Sequence, residues 1–183
     1  TISGGYKNCN FGFASSVLGG KCNTACGSEA TISGGYCNTT SGNYNIVGSG
    51  LCVKNLTNCS VIGGGKINIL CCTAHGSHIG GGVANCITKC NSTISGGYLN
   101  SIFEIHSAIG GGLGNILCGG GSFIGAGQQN CAIGVYNAQV GGFRNKALDN
   151  GSFIGGGYCN CTISGNYNNI IGGQCNCSAL QYT

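Results

Sequence analysis

The chain has 183 residues, of which 39 are Gly and none is Pro, Met or Trp; apolar residues make up 42% and charged residues only 5%. That balance excludes plain disorder, and the lack of Pro and of a three-residue glycine period excludes collagen. The formal net charge of +4 is scattered over seven Lys and Arg, which argues against a dedicated nucleic-acid surface, and no run of about 20 apolar residues exists to span a bilayer.

The chain repeats one phrase from its first residues onward. "TISGGYKN" has neither a basic start nor an apolar stretch, so no signal peptide is visible. It opens in mid-phrase without Met, and residues 1–183 are expected to form a single repeat domain, a piece of a longer fibre protein. An Asn closes each phrase: Asn8, Asn23, Asn38, Asn68, Asn85, Asn100, Asn115, Asn130, Asn145, Asn160 and Asn176. The spacing is 15, with Val53 in the Asn place of "VGSGLCV", a two-residue insertion before Asn85 and one extra residue before Asn176. Three residues before this anchor every copy has Gly: Gly5, Gly20, Gly35, Gly50, Gly65, Gly82, Gly97, Gly112, Gly127, Gly142, Gly157 and Gly173. One position earlier Gly recurs except at Ser49 and Ala126, and six before the anchor stands Ile or Val except at Gln139. Ser dominates two residues before that Ile column. A second apolar column follows the anchor by three: Phe11, Cys26, Leu56, Cys71, Phe103, Cys118, Ile133, Leu148 and Ile163.

Fifteen residues returning to one environment describe a turn of a coil, since a helical pair needs some 30 to 40 residues and better helix formers. Ile, Val and Thr beside Gly, Asn and Ser predict short strands separated by tight turns. The invariant Gly column marks a place without room for a Cβ, through positive φ or close backbone approach. The fold expected is all-β, a parallel β-solenoid of about twelve 15-residue turns, on the order of 60 Å long at the usual strand spacing. Two apolar columns insulate such a rod thinly, so several chains are expected to pack side by side through the bare Gly-Gly backbone, three-fold by preference.

Three segments in chain order carry what chemistry there is. "CCTAHGSHIG" holds His75 and His78 near Cys71 and Cys72, and "FEIH" puts Glu104 and His106 on one strand face if extended. With Glu29, Asp149 and nothing else to titrate as acid or imidazole, surface or packing roles outweigh a metal site, and neither metal, cofactor nor enzyme activity is expected. The phrases "IGGGYCNCT" (154–162) and "IIGGQCNCS" (170–178) align Cys159 with Cys175 and Cys161 with Cys177, candidate disulfides between rungs or, equally, small buried residues. Cys26, Cys71 and Cys118, in the apolar column, are expected to be buried. The aromatic residues two before the anchor, Tyr6, Tyr36, Tyr98, Phe143 and Tyr158, are candidates for binding a partner and equally for covering the rod.

The phrases "SVIGGGKIN" (60–68), "SHIGGGVAN" (77–85), "SAIGGGLGN" (107–115) and "SFIGGGYCN" (152–160) resemble the head repeats of YadA-like trimeric autotransporter adhesins, and similar repeats occur in phage and viral fibres. The resemblance implies a left-handed parallel β-roll, a homotrimer, and attachment at a cell or virion surface, outside the cell. The partners it implies are other copies of the chain and a host-surface protein or glycan receptor, with no nucleic acid and no membrane insertion by this segment. The alternatives are a purely structural filament or coat fibre without receptor binding and, more remotely, an acyltransferase-like left-handed β-helix. The last is disfavoured by a period of 15 where hexapeptide repeats imply roughly 18, and by the lack of any Gly-x-Ser-x-Gly or P-loop phrase.

Overall fold

Each turn of the chain contains two-residue strands because an inward apolar residue is followed, within two positions, by glycine or a polar corner. The computed structural model describes residues 1–179 and shows a parallel β-solenoid of about 11 turns, with no helix among the described residues. Residues 180–183 of the expected domain lie outside the described residues. One sheet of 12 strands runs from Cys9–Asn10 to Cys177–Ala179, and a second of 11 strands runs from Ser16–Val17 to Asn169–Ile170. Register follows the repeat, with Thr24 opposite Thr39 and Thr31 opposite Ile46. A third side is a file of single bridges through Tyr6, Lys21, Tyr36 and their successors to Gln174.

The solenoid absorbs both departures from the period without losing register. His78 still faces Val61, and Cys86 faces Ile69, because the two extra residues are spent in a turn closed by Ala74 N–H on Cys71 C=O at 2.9 Å. The single extra residue lengthens the strand Cys161–Ser164 and shifts its register between Thr162 and Ser164, as a bulge does.

The Ile column is buried from Val17 to Ile170, and Gln139 is buried within it. The second core column is not the one the apolar pattern suggests. Residues two after the anchor face inward, among them Ala25, Leu70, Ile87, Ile102, Leu117, Ala132 and Ala147. The column three after is displaced outward: Phe11 is 74% exposed, Ile133 and Ile163 51%, and Phe103 43%. Cys26 and Cys118 are exposed and Cys71 half-buried, against their expected burial. The cause is the two-residue period of a strand: the anchor Asn points in, so its second neighbour does too and its third cannot.

Each anchor holds its rung to the next. Asn85 N–H donates to Asn68 Oδ1 at 3.0 Å, while Asn85 Nδ2 donates to Gly81 C=O in its own rung at 3.0 Å and to Gly97 C=O in the next at 3.1 Å. Its Oδ1 accepts from Asn100 N–H at 3.0 Å, which completes a fully satisfied amide in the core. Asp lacks the donor and Ser the reach. The Gly column makes room for this ladder: a Cβ on Gly20, at φ 86°, meets Gly35 O at 2.2 Å and Asn23 Nδ2 at 2.6 Å. Val53 breaks the pattern. It has no oxygen for Asn68 N–H, and Gly50 swings to φ 158° while the rest of the column stays between 85° and 99°. A second polar file, through Ser60, Ser77, Ser92, Ser107, Ser122 and Ser152, stacks the opposite corner, Ser92 N–H reaching Ser77 Oγ at 3.1 Å.

Candidate functional site

The core accounts for the inward residues, so any functional surface lies among those that point outward. Two files of left-handed residues mark the corners where the surface turns. One precedes the anchor, with Lys7, Cys22, Cys37, Cys52, Ile67, Gln129, Arg144, Cys159 and Cys175 at φ from 52° to 58°. The other precedes the Ser file and includes Glu29, Tyr44, Cys59, His106 and Tyr136. A non-glycine residue held there costs roughly 1–2 kcal/mol, and Ile67, being β-branched, is the most strained type in either file. Nothing in composition signals these corners, because glycine fills them only at positions such as Gly76, Gly114 and Gly121.

The five candidate aromatic residues fall on the bridge file and project from one edge. Tyr6 and Tyr36 flank Lys21, whose ammonium lies 5.6 Å from each ring centroid. Phe143 and Tyr158, on adjacent rungs, stack with centroids 5.4 Å apart at 19°, and the Arg144 guanidinium lies 4.8 Å from the Phe143 ring. Tyr98 stands between Val83 and Leu113 without an aromatic neighbour in the file. The structure therefore assembles two aromatic–cation groups, one near each end of the described rod.

All sixteen cysteines are free thiols. Cys161 and Cys177 are in register, and Cys159 and Cys175 share the left-handed corner file, yet neither pair is a disulfide. In-register Cβ atoms on parallel strands point the same way at about 4.8 Å, beyond the ~3.5–4.5 Å that a disulfide spans. Burial raises the thiols of Cys131, Cys161 and Cys86, and Cys71 beside it helps to push Cys86 up to about 11. These thiols are neutral near pH 7 and weak as nucleophiles. A hydrogen bond with Cys37 raises the Tyr36 phenol, reinforced by Cys37, Cys22 and Cys52 around it.

The residues considered for acid–base or metal chemistry do not converge. Glu104 and His106 sit in a bend, and His106 takes a left-handed conformation, so the extended face expected of "FEIH" does not form. His75 Nδ1 accepts from Asn58 N–H at 3.3 Å and meets Thr57 Oγ1 at 2.9 Å, capping the inserted turn. Among the described residues no three His, Cys, Asp or Glu side chains group as metal ligands. Asp149 is buried; burial raises its carboxyl, but hydrogen bonds from Thr162, Asn168 and Ser152 outweigh that and hold it below its ordinary value.

One open groove lies beside the Phe143–Tyr158 stack. Its volume is about 470 Å³, and it is lined by Gln129, Arg144, Lys146, Cys159, Asn160 and Cys161. Sequence reasoning passed over it because Arg144 and Lys146 read as two of seven scattered cations. No protein-family model matches the chain, and a search of the curated proteins finds no match.

Proposed function

We propose that the chain is a segment of an extracellular attachment fibre on a cell or virion surface, built like the YadA-type heads it resembles as a left-handed roll of three identical chains. Lateral self-association is supported by one observation above all: in six doublets the outer glycine has no internal reason to be small. A Cβ on Gly4, Gly19, Gly34, Gly81, Gly96 or Gly172 meets no atom within 4 Å, although the next glycine in each doublet is tightly enclosed. A bare backbone file along a rod allows a neighbouring chain to approach closely. The exposed apolar column of Phe11, Phe103, Ile133 and Ile163 adds surface that association would cover. Three copies of one stiff repeat present identical edges to a host-surface protein or glycan, which raises avidity without new contacts.

The test is mass in solution by light scattering, combined with binding of the isolated segment to host cells. A trimer that Gly34→Leu and Gly96→Leu dissociate while circular dichroism stays unchanged supports the reading. A wild-type monomer refutes it. A second reading, a virion or coat fibre with no receptor of its own, is favoured by the sixteen cysteines, which set the chain apart from the cysteine-poor adhesin heads it resembles. End-to-end polymers without cell binding would select it.

A further inference from the structure

We infer that the groove beside the Phe143–Tyr158 stack is a subsite for an acidic saccharide, a sugar chain bearing sulfate or carboxylate groups. The inference rests on the reading of the rod as an attachment fibre and specifies what one stretch of it binds. Two cations face the groove from either side of the anchor file. Arg144 is held in place: its Nε donates to Gln129 Oε1 at 2.8 Å, and its guanidinium lies over the Phe143 ring at 4.8 Å. The Nη groups are left for a ligand oxygen, in the planar fork that suits sulfate or carboxylate. Lys146 lies opposite, in register between Cys131 and Cys161.

No acid competes for these cations. The chain has three acidic residues. Glu29 is seven rungs from Arg144, and Glu104 is three rungs from Lys146, roughly 14 Å along the axis. Asp149 is turned inward, its oxygens taken by Ser152, Thr162 and Asn168. The nearby thiols of Cys131 and Cys161 are kept neutral by burial and add no negative charge.

The aromatic pair decides the class of anion. Tyr158 is exposed and stacks on the half-buried Phe143, against whose ring Arg144 also packs, so an aromatic surface adjoins Arg144 just outside the lining of the groove. A pyranose ring offers an apolar C–H face to such a surface while its acidic group reaches Arg144 and Lys146. The groove is open, which suits a polymer lying along the rod.

The test is calorimetric titration of the whole chain with a heparin-derived hexasaccharide, a galacturonate oligomer, a neutral dextran oligomer and a single-stranded DNA oligomer of matched charge. The acidic sugars are expected to bind, more weakly as salt is raised, and dextran is expected not to. Arg144→Gln with Lys146→Gln should lower affinity at least about tenfold, the loss of two charge-assisted contacts. Phe143→Leu with Tyr158→Leu should lower it severalfold, and Lys54→Gln with Lys66→Gln, away from both aromatic–cation groups, should leave it unchanged. All these side chains are exposed except Phe143, which is half-buried, and circular dichroism checks each fold. Absent binding of acidic sugars, undiminished binding by the Arg144/Lys146 variant, or equal affinity for DNA overturns the inference. Cell attachment that survives such a result leaves the fibre reading standing, whereas a monomer that still binds acidic sugars sinks only the fibre.

Discussion

Gln139 is the one polar residue in the Ile column, and replacing it tests how the core is held. It lies in register between Ile124 and Ile154 and is fully buried. Its Nε2 donates to Cys131 C=O at 2.7 Å, but its Oε1 has no partner. An unpaired buried carbonyl costs about 1–3 kcal/mol, and the bond that Nε2 makes returns about 1 kcal/mol. Gln139→Ile removes both and adds apolar burial of about 0.8 kcal/mol per methylene equivalent, with little change in volume. The net gain is about 1–3 kcal/mol, and for a chain of this size each kcal/mol raises Tm by about 2–4 °C. Thermal and urea melts followed by circular dichroism measure it, with Gln139→Ala as the control that opens a cavity and lowers stability. If Gln139→Ile melts at or below the wild type, the core does not rank polar satisfaction as argued.

Val53→Asn should restore the interrupted ladder, supply an acceptor to Asn68 N–H and stabilise by about 1–2 kcal/mol; amide exchange slowed in the two flanking rungs is the readout. Ile67→Asn should stabilise by up to about 1 kcal/mol, because Asn tolerates the left-handed corner at φ 56° that Ile occupies, and a urea midpoint checks it. Asp149 has a folded pKa below the unfolded value, so its carboxylate stabilises the fold at neutral pH and that contribution fades as pH falls through about 4 and below. Amides of 146–162 should therefore lose exchange protection earlier on acidification than those of 86–102. Thiol titration in denaturant without reductant should find all sixteen cysteines, and a lower number would show that the rungs distort enough to form disulfides.

The fold was legible because its determinants repeat. An Asn every fifteen residues with Gly three before it implies an amide and a bare backbone brought together at the same place in every turn, and the ladder through Asn68, Asn85 and Asn100 has that geometry. The second core column is not legible from the apolar pattern for a physical reason: in this rod hydrophobicity is not the sign of burial. At the surface of this rod Phe11, Ile133 and Ile163 are apolar and exposed, while Thr40 and Asn55 are polar and buried. Counting by twos from the anchor finds the true column without reference to polarity. The left-handed corners were illegible altogether, since Lys7, Cys52 and Tyr136 have no shared chemistry and only the backbone path demands their conformation.

The same division explains why the groove is not legible in the sequence. In a globular core each buried residue touches several elements, so core and site residues constrain one another. In a solenoid a side chain meets its counterparts one rung away, and outward positions are released from the fold's demands. Arg144 and Lys146 occupy places that hold Gln129 and Cys131 one rung before and Cys159 and Cys161 one rung after, with the ladder between them unchanged. Function in such a chain therefore resides where a column changes its chemistry while its backbone does not. By that criterion Asn145, the anchor between the two cations, is structural: Asn145→Ala should unfold the rung and abolish the groove. Arg144→Gln should leave the rung intact and remove only the ligand. If both changes weakened the fold alike, the separation of scaffold from surface would fail, and with it the reason for seeking function in the outward files.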